Sequence, residues 1–460
     1  MNRRNMILVT IALALATLGA VGQYLSPATH AQKPIVPASA ITWVRPARSD
    51  DLTPTLYLPL IANAYSQRIY STSLVYRGAF AYPPGDDWAY SARALAYYAS
   101  GDPGSSDGYP GSLYATGFDQ DDLVAEIAIP EPVISSDFGD LPQAAIIQPL
   151  ADITGGWIGN CTYNDDCQYR ELDGLAYLPA VNKIAWNLND WYNVGGYDQD
   201  SLGWSDLDMS GAQGVWHIGD RPSDNDLFHN AKTCNYLFQS PQSFASENLG
   251  GRSLIAGNHR EAGALGGSQG PTLYALAPWM DGNPPASGQN LDALALLYYP
   301  EIVECVWEGD EDINEHPDPG VCDFPDYRAM DHWNGGAWVQ SGGQSAVLIF
   351  GRKGLGDNCY GSTETCGADP CAPSSGYHAY PYQPQILFYD PEEIKEALAG
   401  AKEPWEVLPY QVYVPTDEVF GGECATLGAA TYDQERGLLY VAEREAGPSG
   451  ETVVHVWSVQ

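Results

Sequence analysis

One strand pair recurs five times along this chain, and that recurrence limits the fold more than any local pattern does. Its form is small-apolar-Ala-Tyr, a turn, then Leu-Tyr-Ala. It reads "RALAYY" with "GSLYATG", "DGLAYL" with "KIAWNL", "RSLIAG" with "PTLYAL", "GGAWVQ" with "SAVLIFG", and "LGAATYD" with "GLLYVAE". The first members centre near Leu95, Leu175, Leu254, Trp338 and Ala429, roughly 80 to 90 residues apart. A third apolar strand follows each pair: "LVAEIAI", "LGWSDLD", "LALLYYP", "ILFYDP" and "VVHVWSV". Candidate leading strands are "YRGAFAY", "AAIIQPL", "CNYLFQS" and "YQVYVP", with only a poor one, around Tyr327, for the fourth unit. Helix signals are sparse. The best is "DPEEIKEALAG", where Asp390 can cap, Pro391 suits the first helical position, Glu393 completes a capping box and Gly400 ends the run.

Four strands per unit, repeated around an axis, resemble the blades of a β-propeller, so the sequence predicts an all-β fold of five blades with one short helix over residues 67–460. The resemblance is one of architecture, because no blade carries a WD, kelch or Asp-box signature. A seven-bladed ring, with strands hidden in long loops, is the alternative. The apparent start on a first strand and end on a fourth predict closure by blade-to-blade packing, without strand exchange.

The N-terminus supplies two further segments. "MNRRNMILVTIALALATLGAVGQYLSPATHAQ" has two arginines, an apolar run and small residues at Thr29 and Ala31, which reads as a secretory signal over 1–31. The run is shorter than the roughly 20 residues a membrane span needs. Residues 32–66, rich in Pro, Ala and Ser, read as a linker whose "TLYLPLI" is a short apolar patch. The expected location is therefore secreted or at the extracellular surface, with no membrane association after cleavage. A net charge of -37 argues against nucleic acid and anionic membrane as partners, since both would be repelled. Nine cysteines in an exported chain predict disulfides, and the odd count leaves one over. No pair has a CxxC gap, which disfavours zinc.

Connectivity sorts the loops. In a blade whose strands run in order from the axis outward, the second-to-third turn and the link to the next blade share one end of the ring. With the strands assigned as above, "GNHREAGALGGSQGP" (257–271) and "HIGDRPSDND" meet on that end, with "ASGDPGSSDGYPG" and the acidic link from Glu301 to Asp326. "NDWYNVGGYDQD" and the loop holding Cys359, Cys366 and Cys371 fall on the opposite end. The propeller resemblance implies a ligand on the end that carries the links. The 257–271 run ends in no GK[ST] and lacks the GxGxxG order, so it is neither a Walker loop nor a dinucleotide turn.

These placements nominate His259, Glu261 and Asp220 for catalysis and His217, Arg221, Arg260, Trp216 and Asp331 for ligand binding. Each has a plain structural reading too: a salt-bridged turn for His259, Arg260 and Glu261, and a packing role for His217 beside Trp216. A glycoside hydrolase needs two carboxylates facing each other across a cleft, for which Glu261, Asp220 and Asp331 are available. A lyase needs a base beside an arginine that neutralises the substrate carboxylate, which suits the two histidines with Arg260 and Arg221. No GxSxG supports a serine hydrolase. "DEDIN" sets Asp310, Asp312 and Asn314 at alternating positions, as a calcium loop begins. Glu315 and Val321 then stand where an EF-hand needs Gly and Glu, so calcium is the only cofactor suggested. Richness in Tyr (30) and Trp (13) suits stacking on sugar faces, although strands and blade cores also favour aromatics. The sequence thus predicts a secreted propeller that recognises a carbohydrate or other small polar ligand, with catalysis open and a structural or interaction protein as a further alternative.

Overall fold

The computed structural model describes residues 67–102, 108–158, 170–190, 198–221, 226–258, 268–300, 322–372, 374 and 376–460. Among them, five sheets form the blades of a five-bladed β-propeller, antiparallel except where Asn290–Leu291 adds a parallel fifth strand to the sheet of blade 2. The inner strands are Leu95–Tyr98, Arg170–Leu178, Leu237–Gln239, His332–Ser341 and Thr426–Asp433. Each touches the inner strand of the blade before and after it, and the fifth touches the first, so the ring closes at five. Bare backbone at the axis lets them come this close. A Cβ on Gly174 would lie 2.2 Å from the Asn235 carbonyl oxygen, and one on Gly335 would lie 1.9 Å from that of Gly428.

Alternation along a strand sends successive side chains to opposite faces, so each sheet contributes to two cores, one per neighbour. Five apolar cores result. Leu172, Ile184 and Trp186 meet Tyr114 between blades 1 and 2. Trp204 and Trp216 meet Tyr274 between blades 2 and 3. Tyr299 meets Trp333 and Trp338 between blades 3 and 4. Phe350 and Phe388 meet Trp457 between blades 4 and 5, and Phe80 and Tyr440 meet Leu113 between blades 5 and 1. Burying one Phe-sized side chain contributes about 1.5–3 kcal/mol, so the junctions carry most of the apolar gain.

The strand assignment read from sequence needs two corrections. Leu74–Ala81 pairs antiparallel with Val453–Val459, Leu74 opposite Val459 and Ala81 opposite Val453, so "YRGAFAY" is the outermost strand of blade 5. The ring therefore closes by strand exchange, which covers the edge that Val453–Val459 would otherwise expose. In the same way, "AAIIQPL" and "YQVYVP" supply the outermost strands Ile146–Ala151 and Gln411–Tyr413 of blades 1 and 4 rather than leading the next blades. Only in blade 3 is "CNYLFQS" the inner strand. Neither Ile146–Ala151 nor Gln411–Tyr413 has a fully buried residue, so their patterns do not mark which blade they join.

The shift moves loops between ends. We name the link end for the blade-to-blade links and second-to-third turns, and the turn end for the first-to-second turns. The 257–271 run joins the second and third strands of blade 3 and His217 ends the outermost strand of blade 2, so both belong to the link end. "ASGDPGSSDGYPG" joins the first and second strands of blade 1 and belongs to the turn end. "NDWYNVGGYDQD" and the loop with Cys359, Cys366 and Cys371 join second and third strands, and so belong to the link end.

The expected helix forms over Pro391–Leu398, with the Asp390 carboxylate accepting from Glu392 N at 2.9 Å. The Glu393 carboxylate binds Arg68 at 2.9 Å and Lys402 at 2.8 Å, not the cap. Disulfides join Cys359 to Cys366 and Cys371 to Cys424, the second tying a blade 4 loop to the link into blade 5. Cys322 is disulfide-bonded as well. Cys234 is a buried thiol that donates to Asn189 Oδ1 at 3.1 Å.

Candidate functional site

At the turn end the five inner strands surround a cavity of about 290 Å³ on the axis. Every blade contributes: Tyr97 from the first, Tyr177 from the second, Phe238 and Gln239 from the third, Trp338 from the fourth, and Thr431 and Tyr432 from the fifth. The floor is apolar because Leu175, Ala176, Leu237 and Ala337 are buried there. Inner-strand edges would leave backbone groups unpaired at the axis, and one is met by a side chain: Thr431 Oγ1 accepts the Tyr97 N–H at 3.0 Å.

The phenols of the wall are fixed. Tyr97 Oη donates to the Pro110 carbonyl at 3.1 Å and accepts from Arg436 at 3.0 Å. Tyr177 Oη donates to Asn182 Oδ1 at 3.0 Å, and Tyr432 Oη donates to the Gln340 carbonyl at 2.7 Å. Burial holds Tyr97 and Tyr432 above the ordinary phenol range, with the Asp433 charge adding to both, so the wall stays uncharged. The Asp433 carboxylate is taken by the N–H groups of Glu435 and Arg436, at 2.9 and 3.2 Å, and by the Arg436 guanidinium at 3.0 Å. Glu435 is exposed at the rim. Gln239 Nε2 is buried and has no hydrogen-bond partner among the described residues. Among the described residues no Lys, Arg or His lines the cavity.

The link end is built from buried charge. His217 is 1 % exposed; its Nε2 lies 2.9 Å from Asp198 and its Nδ1 lies 2.9 Å from the Gly219 carbonyl oxygen. Burial raises the Asp198 pKa, but the His217 bond and charge outweigh it and hold the carboxyl below its ordinary range. Arg221 donates to Asp200 at 2.5 Å and lies 3.7 Å from Asp198, so His217 and Arg221 share one carboxylate. Asp220 beside them is exposed. Trp216 has no exposed surface and packs edge-on against Trp204. Asp331 is also fully buried; it pairs with Lys353 at 2.7 Å and accepts from the N–H groups of Arg328 and Gly354, both at 3.0 Å. His259, Arg260, Glu261, Asp310, Asp312 and Asn314 lie outside the described residues. Among the described residues no group of His, Cys, Asp and Glu is set to hold a metal ion.

A second charged group, which the sequence did not suggest, sits where blades 5, 1 and 2 meet at the link end. Arg93, just before the inner strand of blade 1, binds Glu171 and lies 3.3 Å from Asp173 and 3.5 Å from Asp119. Arg444, from the second strand of blade 5, lies 3.8 Å from Asp119. Asp122 accepts the Leu172 N–H at 3.1 Å, and Asn189 donates to Asp173 at 2.9 Å.

No protein-family model and no curated protein matches the sequence. Solved structures do match. The β-propeller domain of Cps50 (Swd1) from Myceliophteria thermophila is 9 % identical, over 76 % of this chain and 67 % of that one, with a TM-score of 0.29. Raptor from Chaetomium thermophilum is 8 % identical, over 84 % of this chain and 29 % of that one, again with a TM-score of 0.29. The fold rests on the sheet order and the closed ring of inner strands.

Proposed function

We propose that the protein is an exported binding propeller that takes a neutral, sugar-like ligand into the axial cavity of the turn end. One observation carries this reading. Five aromatic rings (Tyr97, Tyr177, Phe238, Trp338 and Tyr432) line a small cavity together with Gln239, whose amide donor lacks an acceptor. Sugars offer what such a site lacks: C–H faces for aromatic rings and hydroxyl oxygens for an N–H, which a rotation of the last Gln239 side-chain bond would turn inward. A volume of about 290 Å³ is at the lower limit for small-molecule sites and suits a mono- or disaccharide. The lack of a lining cation among the described residues disfavours anionic ligands.

Binding without hydrolysis is favoured by the acids present. Hydrolysis needs two carboxylates across a cleft. Of the two among the described lining residues, Asp433 is spent on its own turn, which leaves Glu435. Export is supported by the N-terminal signal pattern and by the two disulfides.

The test is titration calorimetry of the 67–460 chain against a panel of neutral, amino and uronic sugars, with and without EDTA. Neutral sugars should bind, EDTA should change nothing, and Tyr177→Ala should weaken binding about tenfold. A panel with no binder, or a binder indifferent to Tyr177→Ala and Gln239→Ala, would sink the proposal.

A further inference from the structure

The group around Arg93 has a charge imbalance that its pairings do not remove. Four carboxylates (Asp119, Asp122, Glu171 and Asp173) face two guanidiniums (Arg93 and Arg444), and Glu445 adds a further negative charge to the surroundings of Arg444. All six side chains are largely withdrawn from water; Asp119, the most open, is 23 % exposed. Fully ionised, the four carboxylates leave two negative charges without a partner cation among the described residues. The members come from three blades: Arg444 from blade 5, Arg93 from the link between blades 5 and 1, Asp119 and Asp122 from a turn of blade 1, and Glu171 and Asp173 from the inner strand of blade 2. Blade 5 is the one completed by strand exchange.

We propose that this cluster is a proton-dependent latch that holds blades 5, 1 and 2 together at the link end while its surplus carboxylates carry protons, and slackens as they ionise. The energetics agree with the geometry. Burial, eased by the Leu172 N–H and Arg93, raises Asp122 to about 7; burial and the neighbouring Asp173, opposed by Arg93, raise Glu171 to about 8. Burial and the nearby Arg93 lower Arg444. A carboxyl whose folded pKa lies above its unfolded value binds more protons in the folded state. The stability linked to it is therefore full below the ordinary carboxylate range and is lost as pH rises through about 7 to 8.

The experiment compares thermal unfolding of the wild type, Glu171→Gln and Asp122→Asn at pH 6 and pH 9, with backbone amide exchange of the wild type at both values. The melting temperature of each variant relative to the wild type should be about 2–4 °C higher at pH 9 than at pH 6. Amides of Leu95–Tyr98 and Arg170–Leu178 should lose at least tenfold protection at pH 9, after correction for intrinsic rate, while those of Gln344–Gly354 in blade 4 keep theirs. A variant offset that is equal at both pH values would overturn the latch. So would uniform loss of protection across blades 1, 2 and 4, a readout that holds even if neither variant folds.

Discussion

The two ends of the axis solve the same problem in opposite ways. Five inner strands must converge at each end, and each end must be closed to water or given something to do. At the turn end convergence is loose, the walls are tyrosines, a tryptophan and amides, and the phenols are held by neutral acceptors. At the link end the described residues include buried acid–base pairs: Asp331 with Lys353, His217 with Asp198, Asp369 with His378, Glu443 with His455, and the cluster around Arg93. Among the described residues, the cavity lies at the turn end and these buried pairs lie at the link end. An open cavity tolerates exchange of side chains with little effect on the fold, whereas a buried charge that loses its partner cannot be rehydrated.

Four experiments would break or sharpen that contrast. The largest effect should come from Lys353→Met, which strands Asp331 in the link end and should cost about 3–5 kcal/mol by urea unfolding; a cost near zero would mean that the pair is not buried in solution. Next, Cys424→Ser opens the link-end disulfide that spans 53 residues, and loss of about 2–4 kcal/mol is expected. Reducing agent should cost the wild type at least as much, and should cost the variant less than the wild type, because only the Cys359–Cys366 and Cys322 disulfides remain to be opened in it. At the turn end, Gln239→Ala should leave the melting temperature within about 1 °C while reducing sugar affinity roughly five- to tenfold, the worth of one hydrogen bond. The smallest effect belongs to the exposed Glu435: replacement by Gln should change stability by less than about 0.5 kcal/mol and leave the pH profile of unfolding intact.

Leu95, Leu175, Trp338 and Ala429 were legible as repeat markers because inner strands are packed on both faces, which concentrates apolar and small residues in them. Leu254 kept the same motif one strand further out, because the inner strand of blade 3 spans only Leu237–Gln239 and the recognisable pair falls on its second and third strands. Outermost strands such as Ile146–Ala151 are half wet and carry no signal that assigns them to the preceding or the following blade. The cavity was not legible at all. Tyr97, Gln239, Trp338 and Tyr432 come from four blades, and nothing local marks Gln239 within "CNYLFQS" as facing the axis. Nor does the sequence link Arg93 to Glu171, 78 positions away, since only the ring brings the start of one inner strand beside the next. His217 and Arg221 flank a recognisable link, and the structure brings both to the same carboxylate, Asp198.

The pairing of Leu74–Ala81 with Val453–Val459 also sets an order of events during synthesis. Blade 5 lacks its outer strand's partner until Val453–Val459 has been made, so a nascent chain carries an unmatched apolar segment, "LVYRGAFA", while blades 1 to 4 are synthesised. Circularisation thus waits for that strand, and removal of "VVHVWSV" should yield not a four-bladed molecule but a chain with two open edges that is prone to associate with copies of itself.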